Sequence, residues 1–389
     1  MKGFLSIISR EWEHVYGSKG GMLLLLVVPF VVYFILNSLY GTGSIKELPI
    51  AVYDQDNSKL SRTVERFLDA SPLLKVTQQL SSEDEMEDVL RYGKVQAIVY
   101  FPPQMERHVF KSKSDKVVIY TNSSNIVFGN LIYRAASQVV VTTSAGILIS
   151  KLTKGGMTKA QALDMFQPIR MSFRPLYNST YNYLFYLAPG LMTVLLQMIV
   201  MFAAARAFNR EFNGHGVFRM IELANGSVFK MLFAKYIAYL LFASVLVLMI
   251  FGIFYPWFGL PLKADYSHIF LLMFLLVSAS IWVGFVFSVI LKDEMMSMDV
   301  TLFYNSPAFV FSGFTFPLMG MPWYSQFYAG IIPYTHFLYG FLKVDMMAAP
   351  LHFAYPEIMA LIVFIVLGML ISFSVLSIRL NKLKKEVVI

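Results

Sequence analysis

Cysteine is missing from all 389 residues, and charge is scarce: Asp, Glu, Lys and Arg together make up 14% of the chain. The first absence removes thiolate nucleophiles, cysteine-held metals and a disulfide scaffold together. The second excludes most soluble folds, because a soluble domain carries about 25% charged residues and uses them to cover its surface. Histidine is thin as well. His14, His108, His215, His268, His336 and His352 are scattered, with no i, i+4 pair to offer a metal two ligands from one helix. There is no G-x-x-x-x-G-K-[ST] loop to cradle a phosphate, no H-E-x-x-H and no G-x-S-x-G. The glycines around Lys19 (Gly17, Gly20, Gly21) lack the spacing and the preceding strand of a phosphate loop. The chain reads as a non-enzyme with no catalytic, cofactor-binding or metal-binding residues of its own.

What is abundant is apolar. Hydrophobic residues reach 57%, with 35 Phe, 22 Tyr and 23 Met, and the mean hydropathy is +0.60. That excludes a disordered chain and points to a polytopic membrane protein. Six stretches approach the ~20 apolar residues that cross a bilayer: 21–40, 183–206, 231–255, 267–291, 300–318 and 357–379. The fifth carries Asn305, Ser306, Pro307, Gly313 and Pro317, so a kink or re-entrant break is expected there. Irregular backbone at membrane depth survives only against protein or a cavity.

The net charge of +8 would suit nucleic acid, but the basic residues flank the apolar runs instead of forming one face, and no recognition signature accompanies them. With both ends on one side, the short segments there hold thirteen Lys and Arg, against only Lys263 and Lys343 opposite. That asymmetry places both termini in the cytoplasm. The stretch 1–18 is amphipathic, with Phe4, Ile7, Ile8, Trp12, Val15 and Tyr16 at helical spacing. It reads as a helix in the headgroup plane or packed against the bundle, ahead of an uncleaved first span.

Between the first two spans, 41–180 is long enough to form its own domain. Strands at 48–54, 73–79, 95–101 and 117–122 alternate with helices at 57–70, 81–93, 125–152 and 159–166, which argues an α/β sheet with a parallel component. Asp54 and Asp56 after the first strand could hold a cation, though shaping a turn is the favoured role. The expected fold is therefore a six-helix membrane bundle with an α/β ectodomain inserted between helices 1 and 2. In the cytoplasmic segment 207–230, Gly214 and Gly216 precede a short amphipathic helix striped by Val217, Phe218, Ile221 and Ala224. Such a helix suits docking onto a soluble partner or anchoring at the interface.

Several segments together resemble the ABC-2 type permeases, the membrane subunits of ATP-binding-cassette exporters, and among them the drug-efflux permeases with a large ectodomain. These are PIAVYDQDNSKLSRTVERFLDASPLLKV (49–76), VQAIVYFPPQMERHV (95–109) and SPAFVFSGFTFPLMGMPWYSQFYAGIIPYTHFLYG (306–340). In the last, Ser312, Gly313, Phe316, Pro317, Met321, Pro322, Pro333 and Phe337 match the family's S-G-x-x-F-P…M-P…P-x-x-x-F signature. One departure falls in the cytoplasmic loop. Val217 stands where Thr is usual, Arg219 where Glu is usual, and Ala234-Lys235 where Gly-Lys is usual.

The resemblance implies the permease subunit of an exporter, forming the translocation path as one half of a homo- or heterodimer. A separate ATPase subunit would carry ATP and Mg. It implies an ATPase contact at Glu211, Gly216, Arg219 and Glu222, and a path lined by Asn305, Ser312, Gly313, Phe314 and Phe316, for which ordinary helix packing is the alternative. A periplasmic adaptor and membrane lipids are further expected partners, nucleic acid is not, and the location is a bacterial inner membrane with the ectodomain outside. The competing reading is an ATP-independent channel or secondary carrier. A carrier would normally show ionisable groups near its span centres, and these stretches have none.

Overall fold

The structure is a computed structural model that describes residues 2–16, 27–41, 43, 45–167, 174–213 and 216–387. The first part of the expected 21–40 span and Gly214 lie outside the described residues. The chain forms two compact units, Ile45–Arg174 and Met1–Ser44 with Pro175–Ile389. The latter opens with α1 (Lys2–Tyr16) and α2 (Val28–Leu39) and resumes after the former.

The α/β unit runs β1 (Leu48–Asp54), α3 (Lys59–Asp69), β2 (Leu74–Gln79), α4 (Asp84–Arg91), β3 (Ala97–Phe101), α5 (Met105–Phe110), β4 (Val118–Thr121), α6 (Ile126–Lys154) and α7 (Lys159–Phe166). Its sheet has the order β2-β1-β3-β4, parallel except where β4 pairs antiparallel with β3. Because strand side chains alternate, Ile50, Val52, Ala97 and Val99 meet Ile132 and Ala136 of α6 on one face. Ala51, Tyr53 and Ile98 meet Val89 of α4 on the other. The short helix α5 is absent from the sequence expectation.

Asp54 and Asp56 shape a turn. Asp54 Oδ1 accepts the backbone N–H groups of Asp56 and Asn57 at 2.9 and 3.0 Å, and Asn57 takes a left-handed φ of 50°. Ser58 then caps α3 in a reciprocal box with Ser61.

The helical unit continues with α8 (Tyr183–Ala205), α9 (Asn209–Asn213), α10 (Gly216–Leu223), α11 (Val228–Met249), α12 (Tyr266–Ile290), α13 (Glu294–Asn305), α14 (Ala308–Phe311), α15 (Trp323–Gly330), α16 (Pro333–Phe341) and α17 (Tyr355–Val387). A π turn at Ile250–Phe254 extends α11 toward Pro256, and a second at Leu342–Met346 extends α16. Helix α12 is central, burying Ile269, Leu272, Leu276, Trp282, Phe285 and Val289, and packs on α8, α16 and α17.

Five helical stretches among the described residues are long and apolar enough to cross a membrane: Ile126–Lys154, Tyr183–Phe212, Val228–Trp257, Tyr266–Ile290 and Leu351–Leu383. Four match expected spans. The first is α6, expected in the α/β domain, and its N-terminal half packs Phe128, Leu131, Ile132 and Ala136 onto the sheet. The expected 300–318 span is not one helix. It breaks after Asn305 and again at Ser312, because Pro307 offers no N–H and Gly313 takes φ +86°. Val28–Leu39, within the expected first span, is an apolar helix shorter than the five.

Candidate functional site

Helix α1 is amphipathic, yet the face it buries carries charge. Ile7 and Glu11, one turn apart, are both buried. The helix packs against α10 and α11. Contact is closest at Gly3, where an added Cβ would lie 2.0 Å from the carbonyl oxygen of Leu223, so only glycine permits this approach.

Beneath that contact four charged side chains close on one another. Lys235, two turns into α11 and fully buried, donates to Glu11 Oε1, to Glu211 Oε1 at 3.2 Å and to the carbonyl of Ala207 at 2.9 Å. It also lies 5.3 Å from the centre of the Phe208 ring. Arg10 donates to the other oxygen, Glu211 Oε2, and the Tyr239 hydroxyl donates to Glu11 Oε2 at 3.2 Å. Two cations and two carboxylates sum to zero, so the cluster is buried as a neutral unit with every carboxylate oxygen partnered. Removing any one member leaves a buried charge uncompensated.

Neighbouring bonds tie this cluster to the bundle. Ser288 Oγ of α12 accepts the backbone N–H of Phe208 at 2.8 Å. Asn209 Nδ2 donates to Ser297 Oγ of α13 at 2.5 Å, and Arg206 Nε donates to Glu294 Oε1 at 2.5 Å. Arg379 of α17 donates to the carbonyl of Val289 at 3.0 Å and stacks 3.9 Å from the Phe212 ring. These bonds connect the segment 206–212, which carries Glu211, to α12, α13 and α17, and Lys235 connects it to α11. The arrangement can clamp and transmit; among the described residues no group of three His, Cys, Asp or Glu could hold a metal ion.

The four residues expected at an ATPase contact fall into two kinds. Glu211 is buried, at 2% exposure, inside the charge cluster. Gly216 backs onto it, since an added Cβ would lie 2.3 Å from Glu211 Oε2 and 2.6 Å from Arg10 Nη2. Arg219 and Glu222 are exposed. The apolar stripe of α10 is rotated from expectation: Val217, Met220 and Ala224 are buried, Ile221 is half-buried, and Phe218 faces out. The offset arises because Met220, not Phe218, meets the 3–4 residue spacing from Val217 and Ala224.

Nothing in the sequence pairs Arg10, Glu11 and Tyr239 with Glu211, and Lys235 stands out there only as a departure from a motif. Their common signal is a charge set among apolar neighbours: Glu11 four residues beyond Ile7, and Lys235 within VFKMLFAKYIAYLL.

Of the expected path residues, Asn305 is buried and accepts from Gln197 Nε2 at 2.9 Å, while its own amide donates to the Thr301 carbonyl at 2.9 Å. Ser312 is buried and bonds the Phe309 carbonyl at 2.9 Å. Phe314 stacks on Tyr186 with centroids 4.6 Å apart and presses on Gly190, and the Tyr186 hydroxyl donates to the Phe314 carbonyl. Gly313 leaves no room for a side chain beside the Tyr339 hydroxyl. Phe316 alone faces outward, at 54% exposure. Asn305, Ser312 and Phe314 are thus packed inside this chain.

The profile of the ABC-2 family transporter proteins matches residues 19–374. Two curated relatives, both named probable multidrug ABC transporter permease YbhR, come from Escherichia coli strain K12 and Escherichia coli O157:H7. Each is 19% identical over 314 residues, covering 80% of this chain and 82% of the relative.

Proposed function

Since the chain belongs to the ABC-2 family of transporter proteins, we propose that it is the membrane subunit of an ATP-binding-cassette exporter, driven by a separate ATPase that docks on α1 and α10. The observation that carries this reading is the neutral charge cluster of Arg10, Glu11, Glu211 and Lys235, which joins α1 and α9 to α11, with Gly216 at the start of α10 against it. Arg219 and Glu222 are the exposed charges that meet the ATPase. Glu211 and Gly216 act one layer below, holding α1 and α9 in register. ATP binding shifts the permease only through a difference in its affinity for two permease states, and a clamp whose members cannot separate cheaply gives the two states a discrete geometry.

On this reading both termini lie in the cytoplasm of a bacterial inner membrane, the α/β unit lies outside, and a second permease copy or paralogue completes the path. The YbhR relatives, named probable multidrug ABC transporter permease, support drugs as the class of cargo. The exposed Phe316 belongs to the face turned toward the second permease. Asn305, Ser312, Gly313 and Phe314 set the shape of the broken segment behind it. A periplasmic adaptor on the α/β unit would complete an envelope-spanning assembly.

The test is purification from the source membrane. The wild-type chain should bring an ATP-hydrolysing subunit with it, and the R219E/E222K variant should not, while retaining its unfolding midpoint. Unchanged recovery of ATP hydrolysis with that variant would reject the docking face.

A further inference from the structure

At the end of the helical unit away from the charge cluster, a cavity of about 280 Å³ opens between the start of α8, the α11–α12 connection and the π turn after α16. Phe185, Pro189 and Leu260 give it apolar walls, Asn178 gives a polar edge, and Asp345 and Lys263 both line it. Asp345 is 3% exposed. Its Oδ1 accepts the backbone N–H groups of Lys263 and Ala264 at 2.9 and 3.2 Å, and these two bonds are all it makes among the described residues. Among the described residues its second oxygen accepts no hydrogen bond. Among the described residues the Tyr255 hydroxyl, an electrostatic neighbour of Asp345, is buried without a hydrogen-bond partner. Lys263 sits at the exposed rim and donates to the carbonyls of Tyr177 and Met346 at 2.8 and 3.2 Å, which leaves one of its three N–H bonds without an acceptor among the described residues.

A deep carboxylate with one oxygen unbonded among the described residues and a rim ammonium therefore line one small, largely apolar space. A plain amine would satisfy Asp345 but meet the field of Lys263, and a plain carboxylate would do the reverse. A molecule carrying both groups is complementary to both, and the volume suits a small ligand. We propose that this cavity binds an α-amino acid with an apolar side chain, its ammonium group on Asp345, its carboxylate toward Lys263 and its side chain against Phe185, Pro189 and Leu260. The site lies wholly within this chain, so it does not rest on the ATPase reading.

The experiment is equilibrium dialysis on the purified full chain in detergent, with L-phenylalanine, phenethylamine and 3-phenylpropionate as probes. Phenylalanine should bind saturably, and each half-ligand should bind at least about tenfold more weakly. D345N keeps an acceptor for the two backbone N–H groups but removes the charge; it should weaken phenylalanine at least about tenfold without moving the unfolding midpoint, and K263M should erase the advantage of phenylalanine over phenethylamine. Absence of saturable phenylalanine binding, equal binding of phenethylamine to the unaltered chain, or full-strength binding by a folded D345N would each overturn the proposal. The half-ligand comparison stands even if D345N fails to fold.

Discussion

Lys235 and Glu211 meet at 3.2 Å, both buried, across 24 residues of chain. The pair is one edge of a neutral four-charge cluster, and its balance makes the first prediction. K235M leaves the buried Glu11 carboxylate without a cation, while Glu211 keeps Arg10, and should cost about 3–5 kcal/mol. The double variant E11Q/K235M leaves Arg10 with Glu211 as a balanced pair and should recover most of that loss. Thermal unfolding in detergent, followed by tryptophan fluorescence, measures both. A K235M chain as stable as the parent would show that the cluster is not the clamp described.

Gly216 owes its identity to a close approach. A Cβ there meets Glu211 Oε2 and Arg10 Nη2, whereas one at Gly252 meets nothing within 4 Å. G216A should therefore lower the unfolding midpoint and G252A should leave it nearly unchanged. Because G216A acts by displacing the Arg10–Glu211 pair, combining it with E211Q should cost less than the sum of the two changes. Strict additivity would place the effect elsewhere.

The difference between Gly216 and Lys235 shows what could be read without the structure. Strands at 48–54 and 73–79 and the helix at 159–166 follow from alternation and capping within a few residues, and these local rules held. Four apolar runs were equally plain. The break at Pro307 and Gly313 was signalled, but a run of apolar residues cannot show whether its pieces form one crossing. The charge cluster was the least legible part. Glu11, Glu211 and Lys235 lie more than 200 residues apart at the extremes, and pairing them requires knowing that α1 folds back onto α11.

Phe314 fixes the broken segment against α8 by stacking on Tyr186 over the bare face of Gly190. F314A should cost about 3–5 kcal/mol through lost burial and a cavity. G190A should also destabilise, since its Cβ would lie 2.7 Å from Phe314 Cε1, and F314L should partly rescue it by withdrawing the ring. Unfolding midpoints of the two singles and the double decide the matter; additive losses would contradict the contact.

In the α/β unit, a hydrogen bond from His108 at 2.8 Å, helped by the backbone N–H of Lys116, holds the Asp115 carboxyl below its ordinary value. A depressed carboxylate stabilises the fold above its unfolded-state value, and that contribution disappears as pH falls through the folded-state value. Acidification below the usual carboxylate range should therefore loosen the α5–β4 connection. D115N should lack this pH response. Hydrogen exchange of the 105–121 peptide from the two chains, corrected for intrinsic rates, reads the difference.

The natural absence of cysteine makes the docking face directly addressable, because a single introduced thiol is the only one in the chain. The most direct measurement places R219C in source membranes, treats them with a short thiol-to-amine cross-linker, and assays the isolated adduct for a nucleotide-binding subunit. The account predicts a cross-link from R219C to the ATPase subunit and none from a thiol at Thr180, on the opposite end of the helical unit. An ATPase subunit that co-purifies yet never links to R219C, or links equally to T180C, would contradict it.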